Sequence, residues 1–365
     1  MKCTSAAAAG YVILNPQLVR GSQTNSALSL GLIGCGNRGM HVSGIFARNE
    51  FAKVTAICDI YDDKIKAAQA KYSGVAVFKD YKKLLASDVD AVLIATPAFL
   101  HPEMFEAAVD AKKHIYMEKP AAVNPAGCRR VKAAALRADP NKRITVDFQQ
   151  RYGKDYRRAY HIVKSGELGD IKMVRASWLG GGPRIKTGHS ASEEKIRNWF
   201  FYRELSGDIL VEQDCHNLDV VNWFTGSHPV RVNGYGNRAV RLYGNVFDDL
   251  ACTFTFDNGM VFSYAASQIP DTGFRTVEET FICEHGAITT SRKGYTIIRP
   301  GKKPVQVKTN YDITQDAVNE FVEGARTGHI ENAGVAAAES TLTAVMALWS
   351  CVHGREFTWK EISQA

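Results

Sequence analysis

"LSLGLIGCGNRG", Leu28 to Gly39, sets a short apolar run against a glycine-rich turn. Gly34, Gly36 and Gly39 give the spacing GxGxxG. Glycines at that spacing permit a tight turn after a strand and let a pyrophosphate come close to the backbone. They also open a helix whose free N–H groups and dipole favour anions. The motif is weak by itself, but its surroundings strengthen it. The stretch to about Asn49 reads as a helix, and "VTAICD" (Val54–Asp59) reads as a second strand. Asp59 closes that strand 20 residues after Gly39. A carboxylate there accepts hydrogen bonds from the adenosine ribose hydroxyls. It also repels a 2′-phosphate, and no arginine follows at Ile60 or Tyr61. The expected cofactor is therefore NAD rather than NADP. Asn37 and Arg38, inside the turn, belong to the same expected cradle.

Working outward, "YDDKIKAAQAKY" reads as a helix, "DAVLIATP" (Asp90–Pro97) as a strand and "HPEMFEAAVDAKK" as a helix. "HIYMEKP" and "RITVDFQQRY" (Arg143–Tyr152) read as further strands. Strands alternating with crossover-length helices predict an α/β fold with a doubly wound parallel sheet over residues 28–150. Beyond Tyr152 the pattern changes. "IKMVRASWLGG", "VRVNGYGNRAV", "LACTFTFDNGMVFSYAASQI", "ETFICEHGAITTS" and "YTIIRP" alternate as strands do, with Gly or Asn-Gly turns. "ITQDAVNEFVEGARTG" and the Ala-rich stretch at 334–351 read as helices. Residues 151–365 are thus expected to form a second α/β domain with a large, mostly antiparallel open sheet. A length of 365 residues fits this division, being too long for one ordinary core.

Composition narrows the function classes. The formal charge of +7 is dilute over this length, and the basic pairs are scattered without interleaved aromatics. Nucleic-acid binding is not expected. No uninterrupted apolar run approaches the roughly 18 residues of a membrane span. The 8 cysteines form no CxxC, so no metal site is expected, and free thiols suit the cytoplasm. Residues 1–27 read as an N-terminal extension that resembles the tail of a twin-arginine export signal. The expected location is the periplasm, with the cytoplasm as the alternative.

Five stretches in order carry a resemblance: "GLIGCGNRG", "CD", "ATPAFLH", "MEKP" and "FQQRY". With "RTGHIENAGVAAAESTLTAVMA" near the C-terminus, they resemble the Gfo/Idh/MocA oxidoreductase family, which includes glucose–fructose oxidoreductase and inositol dehydrogenase. The resemblance implies a Rossmann domain followed by an α/β domain whose open sheet makes homo-oligomers, dimers or tetramers. It also implies that Thr96, Pro97 and His101 lie along the ribose and nicotinamide. Glu118 and Lys119 face the cofactor, and Lys119 reaches the substrate. Strand carboxyl ends at the switch point form the crevice where ligands bind, and a lysine there stabilises charge on a substrate oxygen.

"SGDILVEQDCHNLDVVNWFTG", Ser206 to Gly226, supplies the second half. Helical spacing puts Glu212, His216, Asp219 and Trp223 on one face. A carboxylate and an imidazole one turn apart on an apolar helix need partners if buried. By resemblance His216 is the catalytic histidine, and Glu212 stands where relatives carry Asp. Arg151, Tyr152, Trp199 and Arg203 are candidate substrate contacts, since aromatic faces suit sugar rings. The resemblance therefore implies an NAD-dependent oxidoreductase acting on a CH–OH group of a sugar, glycoside or polyol. Lys119, His216 and Glu212 would be its catalytic residues. The alternative is a redox-neutral glycoside hydrolase or lyase that oxidises, eliminates and returns the hydride. A sugar- or NAD-sensing protein without catalysis is a third possibility.

Overall fold

A computed structural model describes residues 27–269 and 273–365. The export-signal expectation falls on the first 27 residues and so lies almost wholly outside the described residues. Six strands form the first sheet: β1 (Leu28–Ile33), β2 (Ala52–Cys58), β3 (Ala76–Phe78), β4 (Ala91–Ile94), β5 (His114–Met117) and β6 (Ile144–Val146). Their order is β3-β2-β1-β4-β5-β6, and every pairing is parallel. β1 and β4 are nearly wholly buried, as a sheet covered on both faces requires. The strand order reverses between β1 and β4, and this places the ligand crevice at their carboxyl ends.

The second sheet contains β7 (Ile171–Gly180), β8 (Arg231–Asn237), β9 (Asp249–Thr255), β10 (Val261–Gln268) and β11 (Thr276–Cys283). It continues through β12 (Gly286–Ser291), β13 (Gly294–Ile298), β14 (Val305–Lys308) and β15 (Phe357–Thr358). The order is β14-β13-β12-β11-β7-β10-β9-β8-β15, antiparallel except for β7 beside β10. Alternation selects its faces. Val174, Val232, Phe254, Phe262 and Phe281 point into the core, while Tyr235, Val261 and Ile282 point out.

Six helices matter for the site: α1 (Asn37–Phe46), α2 (His101–Asp110), α3 (Pro125–Leu136), α4 (Cys215–Thr225), α5 (Thr314–Thr327) and α6 (Gly334–His353). α5 packs on the first sheet although it lies within residues 151–365. Its Phe321 meets Phe46 of α1 and Tyr116 of β5 edge-on, with ring centroids 5.7 and 5.5 Å away. α6, at 20 residues and mean hydropathy 1.5, is long and apolar enough to cross a membrane, but 72% of its most apolar window is buried inside the fold. It packs between α3 and the second sheet, which is what its near-continuous apolar surface serves.

Candidate active site

The glycine turn is shaped for a dinucleotide. Gly34 has φ +95°, and a Cβ there would strike the Ala95 carbonyl oxygen at 2.6 Å. At Gly39 a Cβ would collide with the Gly34 carbonyl oxygen. At Gly36 it would meet nothing within 4 Å, so the backbone opens onto free space beside the N-terminus of α1. Asp59, just past β2, has its carboxylate oriented by the backbone N–H groups of Cys35 at 2.8 Å and Tyr61 at 3.0 Å. A cavity of about 330 Å³ runs from Gly34, Gly36 and Asn37 past Asp59 to Thr96 and Pro97. Its residues fit NAD: close-approach glycines, a helix N-terminus and an oriented acid for the ribose.

Residues of the second domain close over this cavity. Lys186, Ile196, Arg197 and Trp199 line it. Arg197 makes a bidentate pair with Asp63 at 2.8 and 2.9 Å, and its guanidinium lies 3.8 Å from the Tyr61 ring centroid. Asn198 exchanges hydrogen bonds of 2.8 and 3.0 Å with the Lys186 backbone, tying the strap to itself.

A second crevice of about 280 Å³ adjoins the first, sharing Arg38, Ala95, Thr96 and Trp199. Here the strand ends converge. Arg38 leaves the glycine turn and is held by Glu118, past β5, at 2.7 Å and by Asp147, past β6. Burial holds the Glu118 carboxyl above the ordinary range despite the guanidinium beside it. Asp147 also accepts from the Tyr116 hydroxyl at 2.7 Å. His101 opens α2 with both ring nitrogens against carbonyl oxygens, Pro120 at 2.7 Å and Thr96 at 3.0 Å, and thereby fixes the two loops that flank the crevice. The Lys119–Pro120 peptide is cis.

Lys119 crosses the crevice to the second domain. Its Nζ lies 3.1 Å from Glu212 Oε1 and also donates to the Glu212 carbonyl oxygen. Burial opposes the lysine charge, but the Glu212 carboxylate outweighs it and holds the ammonium above the ordinary lysine range. Glu212 sits in a π-helical turn, Leu210–Asp214, that runs into α4. This wide turn interrupts the regular helical spacing read from the sequence, yet Glu212 and His216 still line one crevice. Asp219 does not join them.

His216 is buried between Trp178 of β7, stacked at a centroid distance of 6.0 Å, and Phe148, edge-on at 6.0 Å. Its Nδ1 has no hydrogen-bond partner. Burial first, then the positive charges of Arg292, Lys119 and Arg38, push its pKa well below the ordinary value. The imidazole is therefore neutral, and faces an ammonium that keeps its proton.

Three expected substrate contacts lie away from this crevice. Arg151 is spent on Asp219, which it grips with three hydrogen bonds of 2.8 to 3.0 Å. Tyr152 is buried in the core under the first sheet, its hydroxyl 3.3 Å from Glu331. Arg203 pairs with the buried Asp208 at 2.8 Å and with the Asn245 carbonyl at 2.9 Å. Each has an internal acid or carbonyl that the sequence pattern did not reveal. Trp199 does line both cavities. Sequence reasoning missed Trp178, Gln149, Gln213 and Arg292, which complete the lining. Gln149 follows the end of β6, where the switch-point rule could have found it; the others carry no motif.

Residues 28–148 match the profile of an oxidoreductase family with an NAD-binding Rossmann fold. Residues 156–289 match the GFO/IDH/MocA C-terminal domain. The chain is 28% identical over 235 residues to the uncharacterized oxidoreductase YrbE of Bacillus subtilis, covering 63% of this chain and 64% of that protein. It is 28% identical over 226 residues to inositol 2-dehydrogenase of Salmonella typhimurium, covering 60% and 61%. These alignments thus span less than two thirds of the relatives' own length. The crystal structure of myo-inositol 2-dehydrogenase from Lactobacillus plantarum shares the fold at 20% identity. Its TM-score is 0.75, over 91% of this chain and 99% of that one.

Proposed function

The chain belongs to the Gfo/Idh/MocA oxidoreductase family, and we propose that it is an NAD-dependent dehydrogenase of a hydroxyl group on a sugar or polyol ring. The observation that carries this reading is a protonated Lys119 and a neutral, buried His216 lining one crevice, contiguous with the dinucleotide cleft. When bound, NAD supplies the hydride acceptor. Lys119 donates a hydrogen bond to the substrate hydroxyl oxygen and stabilises the negative charge that grows there. His216 takes the hydroxyl proton on a ring nitrogen. Glu212 keeps Lys119 charged and aimed. Trp199 and Trp178 offer faces to the apolar C–H surfaces of the ring. Inositols are the first substrates to try, given the Salmonella relative. The test is NADH formation with a panel of inositols and hexoses. Turnover absent in wild type across the panel, or unimpaired in Lys119→Ala, defeats the reading.

A second reading keeps the cofactor on the protein through a redox-neutral cycle on a glycoside. The Arg197 clamp across the adenosine cavity favours it, because a covered cofactor exchanges slowly. Release of free sugar from an aryl glycoside without added NAD supports this reading; net NADH accumulation removes it. We also propose that the outward face of the second sheet, with Tyr235, Val261 and Ile282, pairs copies of the chain. Light scattering that reports a monomer, or an oligomer unchanged by Tyr235→Glu, removes that proposal.

A further inference from the structure

Arg292 occupies the two-residue turn of the β12–β13 hairpin, between the paired Ser291 and Gly294. It lines the substrate crevice beside Trp178, Lys119 and His216. Among the described residues it makes no ion pair and no hydrogen bond, and its Nε is buried without a partner. The Trp178 ring centroid lies 5.4 Å from its guanidinium carbon. Burial pushes its pKa down, so the charge is held at a cost.

The other cations of the crevice differ. Lys119 is matched by Glu212, and Arg38 by Glu118 and Asp147. Arg143, wholly buried elsewhere in the fold, is likewise met by Glu320, Glu331 and the His329 carbonyl. Within the substrate crevice each of these cations is thus bonded to an acid except Arg292, which feels Asp147 and Glu279 without a hydrogen bond to either. A planar fork of donors with no internal acceptor is suited to a carboxylate or a phosphate, which it grips with two parallel bonds. The Trp178 ring attracts the guanidinium without using its hydrogen-bond donors.

We propose that Arg292 recognises an anionic oxygen group on the substrate, so that the ring polyol or sugar carries a carboxylate or a phosphate. This rests on the dehydrogenase reading above and narrows its substrate class. The anion is bound at Arg292 while the reacting hydroxyl sits between Lys119 and His216. Recognition, by a residue of the second sheet, is thereby separated from chemistry.

The experiment is calorimetric titration of the NADH-loaded protein with D-glucose, D-glucuronate and D-glucose 6-phosphate. A charge-assisted bidentate contact is expected to favour one of the anions over glucose by about 10- to 100-fold. The carboxylate and phosphate arms tell the two sources apart. Arg292→Met is expected to abolish the preference, and Arg292→Lys to restore part of it. Neither removes an internal hydrogen bond or ion pair, because Arg292 makes none among the described residues. Equal affinity for glucose and both anions, no binding by either anion, or a preference that survives in Arg292→Met overturns the assignment. NADH formation is scored separately. Turnover confined to neutral polyols refutes this inference and leaves the dehydrogenase standing. Anion-selective binding without any NADH formation does the reverse.

Discussion

The two ends of the cleft are built on opposite plans. At the adenosine end the backbone does most of the shaping. Gly34 and Gly39 must lack a Cβ, Asp59 is oriented by two backbone N–H groups, and the Arg197–Asp63 pair closes the top. At the substrate end side chains do the shaping, and they come from β5, β6, β7, α4 and the β12–β13 turn. Polar atoms there are left without protein partners: Nδ1 of His216 and Nε of Arg292. Buried polar groups without partners are rare and cost stability. The adenosine cavity has one such atom among the described residues, the Nε of Arg197, but that guanidinium is held by Asp63, which fits a generic cofactor in a nearly finished cradle. The substrate end is completed only by its ligand.

Substitutions at the two ends should therefore fail differently. His216→Ala is expected to lower kcat by about 10²- to 10⁴-fold through loss of the base. Lys119→Ala should cost about 10²- to 10³-fold. Both should retain NADH binding, read by cofactor fluorescence. Asp59→Ala should do the converse. NAD affinity falls by about 10- to 100-fold with the lost ribose hydrogen bonds. Its kcat at saturating NAD stays near wild type. If Asp59→Ala lowers kcat as far as His216→Ala does, the separation of the two ends is wrong.

The pH dependence sharpens the substrate end. In the proposed mechanism His216 acts as a neutral base, and burial holds its pKa well below 6.5. Activity should hold as pH falls through 6.5 and drop only beyond it. Lys119 acts protonated in the same proposal, and its pKa is held above 10.5, so the alkaline limb should lie above that value. A kcat/KM profile breaking near 6.5 would contradict the buried imidazole. Behind the site, Glu279 accepts from Asn217 and Thr290 at 2.7 Å each, and burial raises its pKa from 4.5 to about 7. The unfolded chain ionises this acid above 4.5 while the fold keeps it protonated to about 7. The stability contributed by the protonated acid is thus lost as pH rises across that window. Glu279→Gln should flatten the slope of urea midpoint against pH there.

The same contrast explains what the sequence disclosed. The adenosine end is local: strand, glycine turn, helix and acid fall within residues 28–59, so spacing alone reveals them. The parallel and antiparallel sheets follow from hydrophobic period for the same reason. Lys119 and His216 were legible through motifs and resemblance, since each sits beside recognisable neighbours. Arg292 was not, because "SRKG" is an ordinary hairpin turn until the fold brings it to Trp178. Arg151, Tyr152 and Arg203 misled in the opposite sense. They lie away from the crevice, because Asp219, Glu331 and Asp208 engage them inside the fold, two of the three from far along the chain. The π-helical turn at Leu210–Asp214 was invisible, since a helical period of 3.6 already placed Glu212 and His216 together.

The smallest expected effect tests whether the strap belongs to the cofactor end at all. Arg197 is mostly shielded, but its partner Asp63 is about half exposed, so the pair is worth little as stability. Its value is kinetic. The guanidinium bridges the second domain to Tyr61 and Asp63 over the cavity that would hold the adenosine. Arg197→Ala should leave the melting temperature within a degree or two and speed NADH release by about two- to fivefold, the exposed-pair energy expressed as a rate. Stopped-flow displacement of NADH by excess NAD measures it. An unchanged release rate would mean the strap rests over the cavity without gating it, and the case for a retained cofactor would lose its structural support. A faster release with unchanged kcat would place the clamp wholly on the cofactor side, apart from the residues that handle the substrate.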